Sequence, residues 1–267
     1  MTATKNETAQ STVKPAPAIA TTVADEKKNL RAIMIACREA LPGERAAARS
    51  GIVQRNLLAS EHYREASAIV LYAEIGNEVS TDLILADALA SDRAVFYPSG
   101  AGRRARDRLG VETQDGTIVA RRIRNRAELV RGAYGILEPP SSAEVLESKS
   151  FAKILACVPG VAFGLEGQRL GRGGGHYDRF IAQLGGEAIT VGLAFSFQLL
   201  DRIPETGLDR RLNFIVTESE VHRACEAPLL ARRTRTKEVN PGGSNHGNPG
   251  IHSWWRGLIR LGNNETA

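Results

Sequence analysis

Between Val158 and Phe180 the chain reads VPGVAFGLEGQRLGRGGGHYDRF. An apolar, strand-like run passes into a glycine-rich loop, and the loop passes into a helix expected to begin near Tyr177. Gly171, Gly173, Gly174 and Gly175 let the backbone take positive φ and approach a ligand closely. Successive amides in such a loop form a concave donor nest, reinforced by the N-terminus of the following helix, and that suits a polyphosphate. Arg169 and Arg172 add charge for the same anion. Asp178 follows where a carboxylate can hold Mg²⁺ between phosphate oxygens. The loop is not a Walker A sequence, because no Gly-Lys followed by Ser or Thr occurs. It is not a dinucleotide fingerprint either, because the third glycine of G-x-G-x-x-G is replaced by His176. The competing reading is a glycine-rich turn with surface arginines.

The elements that must position this loop follow from the hydrophobic pattern. Residues 1–24 are rich in Thr, Ala, Ser and Pro without a hydrophobic period, which predicts a disordered leader. From Asp25, the residues Leu30, Ile33, Met34, Cys37 and Leu41 recur at helical spacing. Lys27, Lys28, Arg31 and Arg38 mark the polar side, and Pro42-Gly43 ends the run. A second helix is expected over 44–60 and a third over 81–90. Apolar runs at 68–73, 94–98, 154–158, 189–193 and 214–217 read as strands, with a polar-faced strand at 117–123 after a turn at Asp115-Gly116. Strands alternating with helices of this length predict an α/β sheet that is at least partly parallel. Residues 228–267 turn Arg-rich and then Asn/Gly/Pro-rich, which predicts a disordered basic tail; the alternative is a short amphipathic segment around Trp254 and Trp255.

Composition narrows the function. The formal charge is +5 over 267 residues, but the leader carries +1 and the last forty residues +4, so 25–227 is neutral. A nucleic-acid partner for the core therefore loses its main support. Aromatics make up only 5%, which argues against a stacking platform for single strands. No apolar run is long enough for a membrane span, and the N-terminus lacks the apolar region of a secretory signal. Cys37, Cys157 and Cys225 lie far apart and suit a reducing, cytoplasmic setting rather than a disulfide or metal cluster.

The string from Pro159 to Phe180 resembles the signature of the 5-formyltetrahydrofolate cyclo-ligases, also called 5,10-methenyltetrahydrofolate synthetases. Four further blocks occur in the family's order: Lys27-Lys-Asn-Leu-Arg31, Glu78-Val-Ser-Thr81, Tyr134-Gly-Ile-Leu-Glu-Pro139, and Leu208 to Glu218. The resemblance covers about 25–227. It implies a three-layer α/β/α sandwich around a mostly parallel sheet. The implied activity is an ATP- and Mg²⁺-dependent conversion of 5-formyltetrahydrofolate to 5,10-methenyltetrahydrofolate, with ADP and phosphate released. The formyl oxygen attacks the γ-phosphate, N10 attacks the activated carbon, and the ring closes as phosphate leaves. Such chemistry needs positioning and charge neutralisation more than a protein nucleophile.

By resemblance, Lys27 and Arg31, four apart and so on one helix face, clamp the ATP phosphates. Arg169, Leu170, Gly171, Arg172, Gly173, Gly174, Gly175, His176 and Tyr177 wrap the triphosphate. Arg172, Gly174 and His176 also lie near the folate formyl end, with Lys27 and Arg172 as the catalytic residues. Asp178 and Asp209 hold Mg²⁺, Glu78 accepts pterin N–H groups, and Tyr134 lines the pterin pocket. Read without the family, Lys27 and Arg31 are a solvated basic face, Asp209 a loop acid paired with Arg210 or Arg211, and Glu78 an acidic cap for the helix at Thr81. The chain departs from the family at Gly164, His176 and Leu208, where Asp, Tyr and His are usual, and between residues 99 and 116. A monomer acting on small molecules is expected. The alternatives are a paralogue for another formylated or pterin-like substrate and a non-catalytic nucleotide- or RNA-associated protein.

Overall fold

The computed structural model describes residues 22–100, 118–132, 135–186 and 188–224. Residues 1–21 of the expected leader, the basic tail, Cys225, Tyr134 and the turn at Asp115-Gly116 lie outside the described residues, while the leader's last residues, expected to be disordered, cap and begin the first helix at Thr22 and Val23. Period-two burial dictates the architecture. In β1 (Ala68–Val70), β2 (Ala94–Ser99) and β3 (Val119–Ile123), successive side chains point to opposite faces of one sheet. Ala68, Val70, Ala94, Phe96 and Ala120 gather on one face, and Ile69, Val95, Tyr97 and Ile123 on the other.

After the small hairpin of β4 (Val130–Arg131) and β5 (Leu137–Glu138), β6 (Ile154–Val158) joins the sheet. It is followed by the short strands β7 (Ala162–Gly164) and β8 (Arg169–Leu170), and then by β9 (Ala188–Leu193). The strands β10 (Leu199–Leu200), β11 (Phe214–Val216) and β12 (Val221–Arg223) complete the described residues. The main sheet runs β12-β11-β9-β6-β1-β2-β3, parallel through its centre, with antiparallel pairs only at its two edges. β10, β7 and β8 form a separate three-stranded sheet.

Helices cover both faces. α2 (Gly43–Leu58) and α4 (Asp82–Ala90) place Val53, Leu57, Ile84, Leu85 and Ala88 against Ile69, Val95 and Leu155. α5 (His176–Leu184) places Phe180 and Leu184 against Ala68, Phe96 and Ala156 on the opposite face. The three-layer α/β/α arrangement is therefore present. The helix expected over 44–60 is α2, which ends at Leu58, and beyond it Ser60 starts a separate short helix, α3 (Glu61–Glu65), by accepting the Tyr63 N–H at 3.2 Å. The strand expected over 68–73 ends at Val70, leaving 71–80 to form the loop that carries Glu78.

α1 (Val23–Glu39) opens with a capping box between Thr22 and Asp25. Its buried side differs from the expected one. Lys27 and Arg38 are buried with Met34, while Cys37 is exposed. This face meets carboxylates and carbonyls rather than apolar side chains, so a purely hydrophobic period places Arg38 and Cys37 on the wrong sides.

Phe163 is fully buried against β9, where Gly192 leaves room for its ring. A Cβ on Gly192 would meet Phe163 Cε1 at 2.5 Å. Overpacking of this kind costs about 1–3 kcal/mol. Gly192→Ala should lower the unfolding free energy by that amount, read as a lower urea midpoint with an unchanged unfolding slope.

Candidate functional site

From β1 the chain crosses to β2 on one side, whereas β6 lies on β1's other side and leads on to β9. The loops leaving β1 and β6 therefore diverge, and open α/β sheets bind ligands in the crevice this opens. A cavity of about 1030 Å³ lies there. Glu78 reaches it from the loop after β1, Pro159 to Asp178 from the segment after β6, Thr206 to Arg210 from the loop before β11, and Lys27 and Arg31 from α1.

The glycine loop takes the conformation its residues permit: Gly173 has φ +109° and Gly175, the residue before α5, has φ +64°. A side chain would strain both positions. Arg31 Nε donates to Gly171 O at 2.8 Å and fixes the loop against α1. Arg169 is almost fully buried. Its guanidinium contacts Asp178 Oδ2 at 3.0 Å and Pro159 O at 3.2 Å, and it stands 5.6 Å from the Tyr177 ring centre. Its Nε has no partner among the described residues. Arg169 lines the cavity beside a glycine nest and a helix N-terminus, a setting that fits an anionic ligand. Burial pushes the Tyr177 hydroxyl well above its ordinary value, so the ring serves as a neutral wall.

Lys27 Nζ lies 2.5 Å from Asp209 Oδ2, which also accepts from the Thr206 backbone and hydroxyl. Burial would raise the Asp209 carboxyl, but the hydrogen bonds from Lys27 and Thr206 and the Lys27 charge outweigh it and hold the group below its ordinary value. Asp178 Oδ1 accepts the Arg210 N–H at 3.1 Å. Among the described residues no three acidic, His or Cys groups converge as a metal cage. Two cavity carboxylates do fit Mg²⁺, which takes one or two carboxylates together with phosphate oxygens.

The third group centres on Glu78. Oε1 accepts from Arg172 at 3.1 Å and lies 3.4 Å from Arg38, while Oε2 accepts the Ile75 N–H at 3.0 Å. Glu78 makes no capping contact with α4, whose Leu83 N–H is met by Gln54 instead. The simpler reading of Asp209 also differs from the structure. It pairs with Lys27, while Arg211 pairs with Glu205 and Glu166. His176 Nδ1 lies 3.1 Å from Arg179, and Leu208 is 85% exposed at the cavity rim.

A family model described as the 5-formyltetrahydrofolate cyclo-ligase family matches residues 23–218. The chain belongs to this family. A 5-formyltetrahydrofolate cyclo-ligase of Mus musculus is 24% identical over 207 residues, covering 74% of this chain and 97% of the mouse protein. A probable 5-formyltetrahydrofolate cyclo-ligase of Caenorhabditis elegans is 27% identical and covers 74% of this chain and 95% of its own length. The NMR structure of Aquifex aeolicus 5,10-methenyltetrahydrofolate synthetase superposes with a TM-score of 0.62 at 28% identity, covering 83% of this chain and 99% of that one.

Within this cyclo-ligase fold, every candidate residue of the sequence apart from Tyr134 lies in the described part and lines the one cavity. Arg38 was not legible as a site residue. Its signal was present, however, because residues 27, 31, 34 and 38 follow one helical stripe. The lowered Asp209 carboxyl gives a pH prediction. Its stabilisation is complete above the ordinary carboxylate range and is lost as pH falls through the lowered folded value. Urea unfolding should show Asp209→Asn less stable than the unmutated chain at pH 7, with the difference closing in acid.

Proposed function

We propose that the chain carries out the reaction of its family, converting 5-formyltetrahydrofolate and ATP to 5,10-methenyltetrahydrofolate, ADP and phosphate. The observation that carries this reading is the convergence of Lys27, Arg31, Arg169 and Arg172 on a glycine nest. Phosphoryl transfer is accelerated by placing fixed charge where negative charge develops. Lys27 and Arg31 draw the triphosphate against α1, and the amides of Gly171 to Gly175 cradle it. Arg169 neutralises it from below, and Arg172 meets the transferring group. Leu170, His176 and Tyr177 form the remaining wall of this half.

Mg²⁺ would be held by Asp209 and Asp178 and would neutralise phosphate charge. Asp209 is favoured because its second oxygen accepts no hydrogen bond from the described residues, whereas both Asp178 oxygens are engaged. Glu78 accepts the pterin N–H groups, as a carboxylate facing ring donors does. Ile75, Ile118 and Ile136 offer apolar wall on that side. A monomer as the working unit belongs to the same reading. The catalytic part is taken as residues 25–227. A cytoplasmic location is part of the same reading, supported by the free Cys37 and Cys157.

Methenyltetrahydrofolate absorbs in the near ultraviolet where its 5-formyl precursor does not. Protein, 5-formyltetrahydrofolate, ATP and Mg²⁺ should together generate that band, and omitting ATP should abolish it. ATP binding without the band would shift the reading to another formylated or pterin-like substrate.

Arg172→Ala should raise the barrier governing kcat/KM by about 2–4 kcal/mol, the usual cost of losing one transition-state donor. Its melting temperature should hardly move, because the Arg172 side chain is 45% exposed and Glu78 keeps Arg38. A variant that melts early yet turns over normally per folded molecule would make Arg172 structural.

A further inference from the structure

Glu78 presents an arithmetic problem for the functional reading. One of its oxygens already serves two guanidinium groups, and the other serves a backbone N–H. A carboxylate has about four acceptor sites, so accepting two ring N–H groups beside these three contacts requires one present partner to leave. Ile75 N–H is fixed by the backbone. The Arg38 side chain is 4% exposed and also points at Gly160 O. Arg172 alone is half in solvent, and it sits on a loop with glycine on both sides. Arg172 is therefore the partner that can move. Its departure is tolerable only because Arg38 stays, since removing the last cation from a buried carboxylate is strongly unfavourable. The end of α1 is built to keep Arg38 there: Asn77 Nδ2, next to Glu78, donates to the carbonyls of Arg38 and Leu41 at 3.3 and 3.0 Å.

We propose that Arg38 is a positioning residue for the reaction: it holds Glu78 in place and charged so that Glu78 can exchange Arg172 for the folate ring. The exchange does two things at once. It opens the carboxylate to the pterin, and it delivers Arg172 to the phosphate side of the cavity. Arg38 itself touches neither substrate, being absent from the cavity lining. This role rests on the folate reading of Glu78.

The test compares Arg38→Met, which keeps bulk without charge, and Arg38→Lys, which keeps charge. Equilibrium dissociation constants are measured for 5-formyltetrahydrofolate and, separately, for the non-hydrolysable β,γ-imido analogue of ATP. In Arg38→Met, Glu78 has only Arg172 to lean on, and the folate constant should rise about 10- to 100-fold, the worth of one charged hydrogen bond. The nucleotide constant should change by less than about threefold, and Arg38→Lys should recover most of the folate affinity.

A lowered melting temperature with unchanged folate affinity would make Arg38 structural only and overturn the proposal. Should Arg38→Met fail to fold, a crystal structure of the unmutated chain with 5-formyltetrahydrofolate decides. Glu78 should then contact the ring and Arg38, with Arg172 moved away; Arg172 still on Glu78 overturns the exchange. Nucleotide binding with no folate binding by the unmutated chain would instead sink the functional reading, and this role with it.

Discussion

The reversal of strand order at β1 and β6 is the constraint on which the remaining structure depends. Parallel neighbours whose connections run in opposite directions cannot close the space above their C-terminal ends. Everything chemically notable in the chain is arranged around that gap: Glu78 after β1, the glycine nest after β6, and Asp209 on the way to β11. The hydrophobic sandwich below it is conventional, with Val and Ile facing α2 and α4 and smaller residues facing α5. Its contribution is rigidity, because donors placed on stiff supports need no reorganisation when charge develops.

α1 then converts a gap into a site. Arg31 and Arg38 lie about one and three turns beyond Lys27 along a single stripe, and each of the three grips a different loop: Lys27 the Asp209 loop, Arg31 the glycine loop, and Arg38 the Glu78 loop. One helix thereby sets the spacing among three segments that are otherwise independent. Burying Lys27 and Arg38 and half-burying Arg31 on one helical face is unfavourable unless each finds an anion or carbonyl, and each does. The residual positive potential faces the cavity, where a polyphosphate would complete the balance.

The strands and the glycine loop were readable because apolar runs bounded by glycine and polar residues have few competing interpretations. β7, β8 and β10 were not, since two- and three-residue strands carry no period. Arg38 and Cys37 were assigned to the wrong sides of α1 for a physical reason: a binary pattern equates buried with apolar, and this helix buries charge. The partner of Asp209 was likewise missed. Its neighbours Arg210 and Arg211 are adjacent in sequence, but loop geometry turns them to Asp178 and to Glu205. Sequence proximity predicts encounter in the unfolded chain, not pairing in the folded one.

The Lys27–Asp209 pair spans 182 positions of the chain. During synthesis at about 5–20 residues per second, α1 is made roughly 10–40 s before the carboxylate that neutralises it. Arg38 and Arg31 meet their partners, Glu78 and the Gly171 carbonyl, earlier in chain order, so Lys27 is the last of the three to be matched. The switch-point crevice gains its final wall only after the loop preceding the last parallel strand has been made and has closed onto the first helix.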